Sequence, residues 1–148
     1  MRRFVGIAAL VAACCALAAC ATGYGRSGLF GGYSEKQLEP GFWRVSARTN
    51  GFSGATSAAN MALYRAAEIA RDAGYPYFQV VYSNFGVLPL VAGNWVYQSG
   101  GGQTARFRIR GARTADAPVI CDMPTRGGCR TFPVDEVLRE LGPVINRR

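Results

Sequence analysis

Residues 57–74 read SAANMALYRAAEIARDAG, and this stretch decides the fold class. Ala59, Ala62, Leu63, Ala66, Ile69, Ala70 and Ala73 recur at helical spacing on one face. Asn60, Arg65, Glu68, Arg71 and Asp72 occupy the other, where Glu68 and Asp72 are spaced to pair with Arg65 and Arg71. Thr56 or Ser57 caps the start, and Gly74 sits where a left-handed C-terminal residue is wanted. The apolar face is mostly alanine. Such a helix buries little area itself, so it must lie close to a sheet that supplies the large side chains. Met61 and Tyr64 fall toward the polar side and are expected to be only partly covered.

The flanking segments supply that sheet. Residues 42–48 (FWRVSAR) alternate, with Trp43, Val45 and Ala47 inward and Arg44, Ser46 and Arg48 outward. Residues 77–83 (YFQVVYS) are aromatic and β-branched, with Phe78, Val80 and Tyr82 expected on one face. If these two strands are neighbours and parallel, the helix between them is a right-handed crossover. Residues 104–110 (TARFRIR) alternate strictly: Ala105, Phe107 and Ile109 face the core, and Arg106, Arg108 and Arg110 form a cationic row opposite. Asn94–Gln98 and Val119–Cys121 read as short strands. Pro133–Leu141 reads as a second helix, with Asp135 and Glu136 near its positive end and Val134, Val137, Leu138 and Leu141 as its stripe. Gly142 and Pro143 stop it. The expected fold is a small two-layer α+β domain. About four strands carry the Ala-rich helix and a short C-terminal helix, in β-α-β-β-α order.

A chain of 148 residues allows one such domain. It contains no histidine, which removes His-based triads and the commonest metal ligand. No metal site and no cofactor are expected. Lys and Arg total 17 against 9 Asp and Glu, a net charge of +8. That balance suits an anionic surface, although basic chains are often simply soluble. The arginine row is either a binding surface for phosphate or carboxylate groups or a solvated sheet face whose arginine stems cover apolar area.

The N-terminus sets an address. Arg2 and Arg3 precede an uncharged apolar run from Phe4 to Leu17, too short for a good membrane span but suited to a secretory leader. Leu17-Ala18-Ala19-Cys20 then resembles the cleavage motif of bacterial lipoproteins. The resemblance implies a diacylglyceryl thioether on Cys20 and acylation of its new amino group. Val11-Ala12-Ala13-Cys14 is a competing site with a shorter apolar region. Ala21, rather than an aspartate, follows the cysteine, which by the same resemblance favours the outer over the inner membrane. Loss of Arg2 and Arg3 leaves the chain near +6. Export disfavours nucleic acid as a partner and makes a disulfide the default for Cys121 and Cys129. The alternative, a reactive or metal-binding pair, lacks close spacing and a histidine.

Residues 21–41 hold Gly23, Gly25, Gly28, Gly31, Gly32 and Gly41 and read as a flexible tether. Within it Gly23-Tyr24-Gly25-Arg26-Ser27-Gly28 spells GxGxxG, but no strand precedes it and no helix follows, so it is not a dinucleotide loop. Residues 32–38 are either one turn of helix or solvated linker. The expected organisation is a leader at 1–19, a lipidated cysteine and tether at 20–41, a domain at 42–142 and a basic tail at 143–148.

Gly31-Gly32-Tyr33-Ser34-Glu35, Trp43-Arg44-Val45, Leu63-Tyr64-Arg65-Ala66-Ala67-Glu68, Gly74-Tyr75 before Phe78, Glu136-Val137-Leu138 and Leu141-Gly142-Pro143 occur in this order. With the lipoprotein motif, they resemble a family of small alphaproteobacterial envelope lipoproteins. The likeness covers most of the chain after Cys20 but not residues 84–103, and the helix start here is Ser- and Ala-rich where that family is acidic. It implies an envelope location and transfers no catalytic residue. The expected function is that of a non-catalytic lipoprotein, held to lipid by Cys20 and contacting an envelope protein or cell-wall polymer. A narrower reading is a sensor or assembly factor binding an anionic polymer through Arg106, Arg108 and Arg110. A third is a hydrolase using Glu68, Asp72 or Asp122.

Overall fold

The computed structural model describes residues 23–29, 31–50, 57–84, 104–122, 129–143 and 145. Residues 1–19, expected as a leader and holding the competing Cys14 site, Cys20, Asn94–Gln98 and most of the residues expected as a basic tail lie outside the described residues. In chain order the elements are β1 (Gly32–Glu39), β2 (Phe42–Arg48), α1 (Ser57–Asp72), β3 (Tyr77–Ser83), β4 (Thr104–Ala112), β5 (Arg130–Pro133) and α2 (Val134–Leu141). The protein is a small two-layer α+β domain. One antiparallel sheet, ordered β1-β2-β4-β3-β5, carries both helices on one face.

The alanine argument holds in detail. Ala62, Ala66, Ala67 and Ala70 are fully buried against a sheet whose inward side chains are large. Trp43 pairs with Ile109, and Val45 with Phe107. Phe78 stacks on Phe132 with ring centres 5.4 Å apart. Phe78, Phe107 and Phe132 are all buried, and a fully buried phenylalanine contributes roughly 1.5–3 kcal/mol. Gly74 has φ +77°, the left-handed conformation its place after the helix requires.

Several expectations need correction. Strands β2 and β3 run parallel but do not touch, because β4 pairs with both from between them. Tyr82 does not share a face with Phe78 and Val80. A bulge between Val80 and Tyr82 inserts one residue, so Tyr82 lies opposite Arg108 on the outer face. Met61 and Tyr64 are buried: α2 packs along α1, and the Tyr24 ring lies edge-on to Tyr64, while Ala73 is exposed. Pro133 ends β5 and precedes the helix, which begins at Val134. Residues 119–121 form no strand, and Ile120 is exposed.

The largest correction concerns the glycine-rich stretch. Residues 32–39 are neither tether nor helical turn but the edge strand β1. It pairs with β2 along its length and joins it through the two-residue turn Pro40-Gly41. Residues 24–28 fold back along β1 as a strap. Tyr33 N donates to Gly25 O (2.8 Å), Ser27 N to Tyr33 O (2.7 Å) and Gly28 N to Gly31 O (2.8 Å). Gly32 makes this possible: φ is +120°, and a β-carbon there would lie 2.6 Å from the carbonyl oxygens of Gly25 and Arg26. The strap also pairs part of an otherwise open sheet edge. Ordered structure therefore begins by Tyr24, well before residue 42.

Candidate functional site

The face of the sheet away from the helices is cationic, and the strand register explains how. Arg44 on β2 lies directly opposite Lys36 on β1 and Arg108 on β4, and Arg108 lies opposite Tyr82 on β3. Side by side with this row runs Ser34, Ser46 and Arg106. Directly opposed residues on adjacent strands have β-carbons about 4.5–5.5 Å apart, and like charges there destabilise. The sheet thus holds Lys36, Arg44 and Arg108 in mutual repulsion. Only Arg108 has a carboxylate partner, Asp122 at 3.1 Å; among the described residues Arg44, Arg106 and Lys36 have none.

Arg44, Ser46, Arg106 and Arg108, together with Tyr82 and Phe107, line a shallow depression of about 470 Å³. Arg108 lies over the Tyr82 ring at 5.3 Å, which orients it by a cation–π contact. A second depression of about 290 Å³ shares Ser46 and Arg106 with the first and reaches Arg48 and the strap at Ser27 and Gly28. Guanidinium forks beside serine hydroxyls present donors matched to carboxylate or phosphate oxygens. Residues 113–122 cross the same face further along: Gln79 Nε2 donates to Ala117 O (2.9 Å) and Asp122 N to Val81 O (3.0 Å).

Of the arginines singled out in the sequence, Arg106 and Arg108 line the depression and Arg110 does not. Arg110 sits over the Phe42 ring at 5.3 Å. Arg44 takes its place. Its outward direction was legible in the alternation of residues 42–48, but its position beside Arg108 depends on β2 pairing with β4. Cys121 and Cys129 are joined by a disulfide, with α-carbons 5.7 Å apart. It ties the crossing segment, which carries Asp122, to the start of β5.

A second polar cluster lies at the strap. Arg65 donates to Glu68 (2.9 Å) and Glu35 (3.2 Å), and the Tyr24 hydroxyl donates to the same Glu68 oxygen. Arg26 reaches Glu35 from the exposed side at 3.2 Å. The Tyr24 ring packs on Tyr33 at 4.8 Å and edge-on to Tyr64 at 5.2 Å, and Arg65 lies over Tyr33. Burial, and then the hydrogen bond to Glu68, hold the Tyr24 hydroxyl above its ordinary pKa of 10.0. For Arg65, burial lowers the pKa, but the hydrogen bonds to Glu68 and Glu35 outweigh it and raise the value. Glu35 Oε2 and Arg65 Nε are buried without a hydrogen-bond partner among the described residues, a cost of about 1–3 kcal/mol each. The cluster therefore fixes where the strap sits more than it adds net stability.

The three carboxylates considered for catalysis do not converge. Glu68 is held by Tyr24 and Arg65, Asp72 pairs with Arg71 in the open, and Asp122 pairs with Arg108 on the opposite side of the sheet. Among the described residues no group of three or more acidic or thiol side chains forms a metal cage, and no helix is long and apolar enough to cross a membrane. Comparison with protein-family models, curated proteins and solved structures finds no match to this chain.

Proposed function

We propose that this protein is a lipid-anchored envelope protein, attached through Cys20, whose outer sheet face binds an anionic group without catalysing a reaction on it. The observation that carries the reading is the transverse row Lys36, Arg44 and Arg108 beside Arg106. Three of these cations stand together on a rigid sheet without a carboxylate partner among the described residues. An anion seated between them relieves a repulsion that the fold otherwise sustains. The leader and the Leu17-Ala18-Ala19-Cys20 motif support the anchor and the envelope location. The resemblance to small alphaproteobacterial lipoproteins supports the same address, with the outer membrane favoured.

The test is binding of a soluble polyanion, inorganic polyphosphate, to the purified chain by equilibrium dialysis over a range of salt. The double variant Arg44→Glu, Arg106→Glu should lose binding and flatten the salt dependence, because two attractive charges become repulsive. Both side chains are exposed, so the fold should persist. Unchanged binding in the double variant would remove the sheet face from consideration.

A further inference from the structure

Two charge distributions and one length point beyond an unspecified anion. Beyond two arginine–carboxylate pairs, Arg71 with Asp72 and Arg139 with Glu140, the helix layer exposes Asp135 and Glu136. The sheet face exposes Lys36, Arg44, Arg48 and Arg106. The domain is therefore acidic on one layer and basic on the other. The length is that of the chain joining the anchor to the fold. Tyr24 is held by two rings and Glu68, and Gly25 and Ser27 are bonded to Tyr33. Three residues lie between Cys20 and Tyr24, and the four residue steps span at most ~14 Å when fully extended. That leaves no room for a long standoff. A domain tied so closely to its lipid must turn one surface toward the headgroups, whose potential acts over a Debye length of about 8 Å.

The strap leads toward one surface. It runs from Tyr24, which packs against α1 at the sheet edge, to a loop at Ser27 and Gly28 that borders the depression shared with Arg48 and Arg106, so the anchored segment reaches the margin of the basic face. On the same loop Leu29 is 93% exposed. A single exposed leucine is ordinary on a soluble surface. Here it follows Ser27 and Gly28, which border the depression holding Arg48 and Arg106, and stands nine positions after Cys20, an apolar group next to a basic depression as in a membrane-interface contact.

We propose that the anion recognised by the sheet face is the headgroup phosphate of the membrane that holds Cys20. The domain lies with Arg44, Arg48 and Arg106 against anionic phospholipid, and Leu29 enters the interface. This rests on the lipid anchor and on the anion-binding reading above, and it names their common target.

The experiment uses the protein purified in its lipidated form and reconstituted in vesicles of phosphatidylcholine with or without phosphatidylglycerol. Leu29→Cys carries a fluorophore, with Asp72→Cys on the helix layer as the control. A fully buried leucine side chain corresponds to a partition factor of roughly 10 or more. Accessibility of the Leu29 label to an aqueous quencher should therefore fall about tenfold in phosphatidylglycerol vesicles. The Asp72 label should stay accessible throughout. Arg44→Glu with Arg106→Glu should return the Leu29 label to water, and excess inorganic phosphate should not. Equal accessibility of the Leu29 label in both vesicle types overturns the proposal, as does protection of the Asp72 label instead. Release by inorganic phosphate also overturns it, in favour of a soluble phosphate ligand. Polyphosphate binding that persists while the Leu29 label stays exposed sinks the membrane target and leaves the anion site standing. Absence of lipid on Cys20, seen by mass spectrometry of the same preparation, would fault the anchor separately.

Discussion

Replacing Tyr24 by phenylalanine removes one oxygen and tests whether the strap is a fixed part of the domain. The ring contacts with Tyr33 at 4.8 Å and Tyr64 at 5.2 Å are retained, while the hydrogen bond to Glu68 is lost. Hydrogen bonds to charged groups contribute about 1.5–3 kcal/mol. Glu68 keeps Arg65 at 2.9 Å, so no carboxylate is stranded and the low end, ~1.5 kcal/mol, applies. That corresponds to roughly a tenfold rise in the population of the detached strap. The assay is native-state hydrogen exchange at the Tyr33 and Ser27 amides, which bond across the strap at 2.8 and 2.7 Å. Both should exchange about tenfold faster, while the Val80 and Phe107 amides in the core strands should change little. Tyr24→Ala also loses two aromatic contacts of ~0.5–1.5 kcal/mol each and should leave both strap amides nearly unprotected. Unaltered exchange at Tyr33 and Ser27 in Tyr24→Phe would refute the assignment of the hydroxyl as the latch. Alkali supplies an independent check. The folded hydroxyl holds its proton above the ordinary value of 10.0, whereas the unfolded chain releases it there. This contribution to stability is complete below about pH 10 and is lost as the pH rises above it. The Tyr24→Phe variant should lack that part of the alkaline decline.

Three further outcomes follow from the packing and the leader. Gly111→Ala places a β-carbon 2.5 Å from the Tyr75 ring, so the ring or strand β4 must shift; overpacking of this kind costs ~1–3 kcal/mol, readable as a lower urea midpoint with an unchanged slope. Cys121→Ser opens a loop of sequence separation 8, a loss of about 2–3 kcal/mol in the chain-entropy model, and a reductant should then destabilise the wild type but not the variant. Labelled palmitate should be absent from Cys20→Ala and retained in Cys14→Ala; the reverse pattern would move the anchor to Cys14.

The elements with simple periodicity were legible in advance. Alanine spacing in α1, strict alternation in β4 and the aromatic run of β3 each express one buried face, which is what periodicity reports. Strand β1 was not legible, because its inward residues include Glu35, whose charge is answered by Arg65 from the distant helix α1 and by Arg26 from the strap. A polar inward face erases the alternation that marks a strand. The Pro40-Gly41 pair between two extended stretches was the available signal, a two-residue turn with Gly41 at φ +74°. Tyr82 was misplaced for a different reason. A bulge reverses facing by adding one residue, and nothing local in Val80-Val81-Tyr82 announces it.

For the site, the residues' outward direction came from each strand alone, but their company did not. Arg106 and Arg108 are visible as a row in one segment. That Arg44 joins them, and that Arg110 is drawn aside onto Phe42, depends on which strands are neighbours. Local sequence thus determined the α+β class, the Ala-rich helix with its close sheet, the cysteine pair and the motif at Cys20, because each rests on periodicity, composition or spacing within one segment. Tertiary structure decided that β4 intervenes between β2 and β3, that the glycine-rich stretch is an edge strand with a strap, and that cations from β1, β2 and β4 meet on one face. Those outcomes depend on strand order and on ion pairs between distant segments, energies that arise only once the chain has closed on itself.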